Sequence, residues 1–367
     1  MNQTRTATDL IRPDIAAMEA YTPTASLEVF AEQLGRPVET LIKLDANENP
    51  YGPSPAAQAA LASLPYTNIY PDPEARKLRA LLADYVGVDA ANILVGAGAD
   101  ELIELILQLF IAPGDTIINC PPTFSMYAFD APLYHAQVVN IPRACDFSLD
   151  INAIETYLWD NSAKLLFVCA PNNPDGSLIP RATLERLLAL PVIVVLDEAY
   201  IEFSGEDSVA PDVLRYPNLI VLRTFSKWAG LAGLRVGYGI FPDDLMPHLW
   251  KIKQPYNLNV AADAAARASL ADLPTLQVNI QRLITERQRL ERELATVPFL
   301  EPYPSHSNFV LCRVIGRDAA QLRQQLAEEH GILVRYYRKT GLQDHVRISA
   351  GTPAQTDALL AALRSMA

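Results

Sequence analysis

Two kinds of apolar spacing divide the chain. Between Asp45 and about Tyr256, short apolar runs rich in β-branched residues alternate with stretches of helical spacing. Residues 191–200 read Pro-Val-Ile-Val-Val-Leu-Asp-Glu-Ala-Tyr. Unbroken apolar character over so few positions marks a strand buried on both faces. Residues 164–170 and 115–120 read the same way, and 101–110 reads as a helix. Buried strands alternating with helices predict a large mixed, mostly parallel sheet with crossover helices. Beyond it, residues 276–295 set apolar positions at helical spacing among arginines and glutamates, an amphipathic bridge between domains. After Pro302 and Pro304 the elements shorten: strands at 308–313, 332–336 and 346–349, and helices at 319–329 and from Pro353. The expected product is an α/β protein with three parts. A large sheet domain covers 40–270, a smaller α+β domain covers 271–367, and residues 1–39 form an arm that packs on the small domain or on a partner subunit.

Composition narrows the class without naming the chemistry. The 367 residues, half of them hydrophobic and 20% charged, exclude a disordered chain. A length of this order suits about two domains. Forty-two acids against 30 bases give a net charge of −12. That balance argues against nucleic acid and anionic membranes as partners. An anionic substrate must therefore be captured by local arginines. The N-terminal residues lack an apolar segment of secretory length, and no apolar run reaches the length of a membrane helix. Cys120, Cys145, Cys169 and Cys312 show no paired spacing and read as free thiols of a reducing cytoplasm. The five dispersed histidines suggest no metal site.

The chemistry lies at three strand ends. Residues 164–170 run into Pro171-Asn172-Asn173-Pro174-Asp175-Gly176, a set of turn formers. The run 191–200 ends in Asp197 and Tyr200, and a third strand leads into Thr224-Phe225-Ser226-Lys227, then Gly230-Leu231-Ala232-Gly233-Leu234-Arg235. Open α/β sheets bind ligands outside the carboxyl ends of their strands. A lysine amine attacks a carbonyl only when deprotonated, a state favoured by a nearby cation and partial desolvation. Thr224, Ser226 and Arg235 can meanwhile bind a dianion. Val95-Gly96-Ala97-Gly98-Ala99-Asp100-Glu101 adds a second phosphate element, because small residues let the group approach amides at the start of a helix. A dinucleotide site is excluded there, since Glu101 stands at the third glycine of that fingerprint. Each motif has an ordinary use alone: a surface Ser-Lys pair, a capping aspartate, a tight turn. In this order they describe a site for an aldehyde cofactor that carries a phosphate.

The ordered set resembles the fold-type I family of enzymes that use pyridoxal 5'-phosphate. The resemblance implies that Asp197 pairs with the pyridine nitrogen and keeps it protonated, so that the ring is an electron sink. It implies that Asn173 and Tyr200 hydrogen-bond the ring's phenolic oxygen and that Lys227 forms the Schiff base. Ala99, Asp100, Thr224, Ser226 and Arg235 would hold the cofactor phosphate. An aromatic from Pro121-Pro122-Thr123-Phe124-Ser125-Met126-Tyr127 would stack on the ring, Tyr127 being chosen over Phe124. Tyr70, in the proline-flanked loop 66–73, would reach the cofactor phosphate of a partner subunit, giving a homodimer with shared sites.

Further motifs resemble the narrower histidinol-phosphate aminotransferase family: Asp45-Ala46-Asn47-Glu48-Asn49-Pro50, Tyr70-Pro71-Asp72 and Val346-Arg347-Ile348-Ser349-Ala350-Gly351-Thr352. That likeness implies amino transfer between histidinol phosphate and 2-oxoglutarate. Lys227 would move the proton, Arg347 would grip the glutamate carboxylate, and Tyr21, Asn47 and Arg335 would bind the substrate phosphate. Asp175 departs from the family's usual threonine, Trp228-Ala229 from its alanine and aromatic, and Phe124 from its frequent tyrosine. These departures leave open an aromatic amino acid aminotransferase and a decarboxylase of a phosphorylated amino acid. A non-catalytic phosphate-binding protein on the same fold is the alternative outside enzymes.

Overall fold

In the computed structural model, which describes residues 6–339 and 341–366, two sheets account for the architecture. The strands are β1 (Ile42–Leu44), β2 (Ile93–Gly96), β3 (Thr116–Asn119), β4 (Gln137–Asn140), β5 (Leu165–Cys169), β6 (Ile193–Asp197), β7 (Leu219–Thr224), β8 (Gly237–Ile240), β9 (Leu300–Pro302), β10 (Phe309–Val314), β11 (Ile332–Tyr336) and β12 (His345–Ser349). The large sheet runs β2-β8-β7-β6-β5-β3-β4. Its pairs are parallel except those of β8, which is antiparallel to both neighbours. β5 and β7 are buried at every position, as their continuous apolar runs require.

Alternate residues of these strands serve two cores. Leu166, Val168, Val194, Leu196 and Val221 face one apolar cluster. Leu165, Phe167, Cys169, Val195, Ile220 and Leu222 face another on the opposite side. A third core fills the C-terminal domain around Val310, Val334, Val346 and Ile348. The helix Leu273–Leu294 serves both domains: Leu276 and Leu283 pack in the large-domain core, Leu290 and Leu294 in the small one. The amphipathic bridge is thus present as one unbroken element.

The smaller sheet runs β1-β11-β12-β10-β9. Here the expected boundary at residue 40 needs correction. β1 is parallel to β11, with Ile42 opposite Ile332 and Leu44 opposite Val334. A three-residue strand carries too little pattern to announce a partner almost 300 positions away. Preceding it, the helix Leu27–Leu34 packs through Phe30 and Ala31 against Ala327 and Leu333 of the small domain, whereas earlier in the arm Arg12 reaches the Leu133 carbonyl and Tyr21 the Phe129 ring of the large domain. Residues 1–5 of the arm lie outside the described residues.

Candidate active site

Register brings the three strand ends together. Cys169 lies opposite Asp197, and Asp197 opposite Leu222, so the turn after β5, the end of β6 and the loop after β7 share one edge of the sheet. Asp197 is buried there. Its Oδ2 accepts a hydrogen bond from the Tyr127 hydroxyl at 2.5 Å and its Oδ1 accepts one from the Ala199 amide at 3.0 Å. Burial nevertheless pushes the carboxyl up to about 6, because those two donors only partly replace lost solvation.

Lys227 projects from the loop after β7. Its Nζ donates to the Ala46 carbonyl at 3.1 Å and lies 6.0 Å from the centre of the Tyr200 ring. Burial, and then the positive charge of Arg347, bring its amine down to about 8. A neutral, nucleophilic amine is therefore accessible near neutral pH. Tyr200 is buried beside it, and its oxygen accepts from Asn47 Nδ2 at 3.0 Å.

The phosphate element also takes shape. The helix Ala99–Phe110 begins two residues earlier than its apolar pattern suggested, which puts Ala99 and Asp100 in its first turn. Gly98 precedes it at φ +85 with no side-chain cap, whereas Ser54, Asp150, Asn259 and Thr352 each cap their helices. Its first-turn amides thus remain available to a ligand. A Cβ on Gly98 would stand 2.3 Å from Arg235 Nη2, and one on Gly237 2.6 Å from the Ala99 amide nitrogen. Only glycine permits this approach. Arg235 reaches Asp100 Oδ2 at 2.7 Å and Ser226 Oγ at 3.3 Å, and Thr224 Oγ1 donates to Ser226 Oγ at 2.9 Å.

At the other end, β11 and β12 set Arg335 directly opposite Arg347. Arg347 is buried between the rings of Phe309 and Tyr337, at 5.1 and 5.9 Å. It donates to Asn173 Oδ1 and to the Asp45 carbonyl. Arg335 donates to Thr24 Oγ1 of the arm at 3.0 Å and lies 5.7 Å from the same Tyr337 ring. Tyr21 of the same arm, 40% exposed, packs edge-on against Phe129 of the helix Met126–Asp130. Like charges in direct cross-strand register repel, and an anion placed between or beside them would relieve that repulsion.

Two expectations are corrected. Tyr127 does not present a ring to the site: it is fully buried, stacked on Phe167 at 4.8 Å, with its hydroxyl on Asp197. The helix Met126–Asp130 turns residue 127 inward, while Phe124, just before it, stays partly open and meets Tyr127 edge-on at 5.5 Å. Phe124 is thus the aromatic with a free face. Asn47 likewise is no free ligand for a substrate phosphate. It is buried, donates to Tyr200, and accepts from Ser349 Oγ at 3.0 Å. Its φ of +55 directs the side chain into the interface between the sheets. Tyr70 is 77% exposed, stacked on Tyr256 at 4.4 Å.

Sequence reading passed over Ser349, Asn308 and Tyr337. Asn308 Nδ2 holds the Asn47 carbonyl at 3.0 Å, and the Ser349 hydroxyl accepts from the Asn47 amide at 2.9 Å. Ser349 lies inside the quoted Val346–Thr352 run, and that position was the only available signal. The set of a deep carboxylate, a desolvated lysine, an open helix end and paired arginines defines an enzyme that does carbonyl chemistry on an anionic substrate.

Comparison with known proteins agrees. The family profile described as aminotransferase class I and II matches residues 39–363. The histidinol-phosphate aminotransferase of Roseiflexus castenholzii is 52% identical, over 98% of this chain and 99% of that protein. The chloroplastic histidinol-phosphate aminotransferase of Nicotiana tabacum is 50% identical, over 96% of this chain and 86% of that protein. Among solved structures, the histidinol-phosphate aminotransferase of Sinorhizobium meliloti in complex with pyridoxal-5'-phosphate superposes with a TM-score of 0.88 at 30% identity, covering 97% of this chain and 98% of that one. The chain belongs to the class I and II aminotransferase family.

Proposed function

We infer that this chain transfers the amino group of histidinol phosphate to 2-oxoglutarate, with pyridoxal 5'-phosphate as cofactor. The observation that carries the substrate is the cross-strand pair of Arg335 and Arg347, a doubled positive charge in a protein of net charge −12. A phosphate monoester brings close to two negative charges and several acceptor oxygens to such a pair. The residues fit the cofactor. Glycine at 98 lets the Arg235 guanidinium lie close against the start of the helix, where Ser226, Thr224 and the amides of Ala99 and Asp100 could join it around a phosphate. Asp197 offers a carboxylate to a ring nitrogen, Asn173 and Tyr200 offer polar groups at the ring's edge, and Phe124 offers an aromatic face.

When bound, the cofactor supplies an aldehyde for an amine to capture and a ring that accepts the electron pair of the substrate's α-carbon. This chain's own part is to bind, orient and move one proton. Arg335, with Tyr21 alongside, holds the substrate phosphate. Arg347 holds the carboxylate of the second substrate. Lys227 Nζ, lowered to about 8, takes the proton from the substrate's α-carbon and would hand it to the carbon that was the cofactor's aldehyde. The two half-reactions thus lean on different arginines, Arg335 for histidinol phosphate and Arg347 for glutamate.

We further propose a homodimer in which Tyr70 completes the partner's phosphate site. In support, Tyr66, Ile69 and Tyr70 line an open groove of about 610 Å³ and stay exposed in the single chain. Sedimentation of the active protein as a monomer excludes that arrangement. We also propose a cytoplasmic location, where Cys120, Cys145, Cys169 and Cys312 would stay free thiols.

The test of substrate choice is a transamination assay with histidinol phosphate, phenylalanine, tyrosine and threonine phosphate. Preference for histidinol phosphate is expected. Preference for phenylalanine returns the aromatic aminotransferase. Carbon dioxide release from threonine phosphate returns the decarboxylase, a class with a solved member, from Porphyromonas gingivalis, that superposes at TM-score 0.79 with 27% identity.

A further inference from the structure

Tyr127 has no open face, yet it makes the shortest contact to Asp197. Its phenol reaches Oδ2 at 2.5 Å, its ring is stacked on Phe167 at 4.8 Å with the two rings nearly parallel, and Phe124 meets it edge-on at 5.5 Å. With the ring fixed on both sides, the hydroxyl is held against Asp197 Oδ2, the Cys169 thiol being its other polar neighbour. Among the described residues, the Asp197 carboxylate receives one other donor, the Ala199 amide on Oδ1. The charged and titratable groups that act on Asp197 are few: Tyr127 itself from the helix Met126–Asp130, Cys169 from the end of β5, Lys227 from the loop after β7, Asp100 from the helix Ala99–Phe110, and Tyr200 on its own chain segment. Among the described residues, Asp197 forms no ion pair. A buried carboxylate without a cation reverts to the neutral acid unless hydrogen bonds hold its charge.

We propose that Tyr127 is a positioning residue of the reaction: its phenol clamps Asp197 Oδ2, fixing the carboxylate in one orientation and keeping it ionised to face a protonated ring nitrogen. This rests on the reading that Asp197 pairs with the cofactor ring. Tyr127 thereby acts through Asp197 and never touches the cofactor. A neutral Asp197 would need a proton donor's geometry where an acceptor is required, so loss of the clamp weakens both the hold on the cofactor and the ring's ability to draw electrons.

The experiment compares wild type, Tyr127→Phe, Tyr127→His and Asp197→Ala as holoenzymes, reading the dissociation constant for pyridoxal phosphate across pH 5 to 9 alongside turnover. A hydrogen bond to a charged group contributes enough that Tyr127→Phe should raise that constant by about tenfold at neutral pH. The donor lowers the Asp197 pKa, so its removal raises that pKa. The acid-side loss of cofactor affinity should then begin about one unit higher in Tyr127→Phe than in wild type. Tyr127→His, which regains an N–H donor, should recover part of the shift. A phenylalanine variant with wild-type affinity and a wild-type acid limb overturns the proposal, whatever its turnover, and so does a histidine variant indistinguishable from phenylalanine. If Asp197→Ala itself binds the cofactor and turns over like wild type, the underlying reading has failed; if only Tyr127→Phe behaves as wild type, the clamp alone has.

Discussion

The two ends of the cleft are built by opposite rules. The cofactor end uses neighbouring strand ends of a single sheet, so Asp197, Thr224 and the helix start after β2 are placed by ladder register and backbone conformation. Its most specific element is a side chain that is missing, at Gly98. The substrate end joins residues from the arm, the Asp45–Asn49 run, the turn after β5 and two strands of the other sheet, through bonds that span 311 positions from Thr24 to Arg335 and 174 from Asn173 to Arg347. The cofactor end is preorganised by one sheet, while the substrate end exists only once both domains and the arm are docked. Chemistry common to a whole family can rest on the first, and choice among substrates on the second.

The largest expected effect separates them cleanly. Lys227→Ala should bring turnover below about one thousandth of wild type, since no neighbouring amine replaces it, while cofactor binding persists through Asp197 and the phosphate element. Steady-state assay with spectroscopic titration of pyridoxal phosphate checks both halves, and substantial transamination by the variant removes Lys227 from its role.

Next in size is Arg335→Ala. Leaving a buried anion without its charged donor costs about 2 to 5 kcal/mol, so the Michaelis constant for histidinol phosphate should rise tenfold or far more, with a much smaller change for glutamate. Equal losses for both amino donors would show that Arg335 holds the fold and not the phosphate.

A smaller effect tests whether the ends are independent at all. Arg347 belongs to the substrate end, yet its charge helps lower the Lys227 amine to about 8. Only the neutral amine captures an aldehyde, so the rate of pyridoxal phosphate capture by cofactor-free protein should climb about tenfold per pH unit below that value and level off above it. Arg347→Gln removes the cation, raises the lysine pKa, and should move the plateau to higher pH. Stopped-flow absorbance measures the profile; a plateau that does not move leaves burial, with Arg235, as the cause.

How much of this could be read from the sequence follows the same division. The strands with unbroken apolar runs were legible, because burial on both faces leaves no polar alternation, and so was the meeting of the segments that carry Asn173, Asp197 and Lys227 at one sheet edge, each at or just past the end of such a run. Tyr127 and Phe124 were not separable. They are three residues apart on a short helical turn, and which one faces inward depends on packing against Phe167. Asn47 was found, but its employment by Tyr200 and Ser349 was invisible, since those partners are 153 and 302 positions away. β1 was assigned to the wrong domain for the same reason. Short-range pattern specifies what a segment is, and long-range pairing decides whom it serves.

The helix Leu273–Leu294 carries one more consequence. Its first half is a wall of one core and its second half a wall of the other, with no interruption between them. Loss of either core strips an amphipathic helix of half its apolar support, and a helix in water holds little stability of its own. The two domains are therefore coupled in melting: calorimetry of the cofactor-free protein should show a single cooperative transition, and a polar substitution at Leu290, inside the small domain, should lower the temperature at which the large sheet is lost.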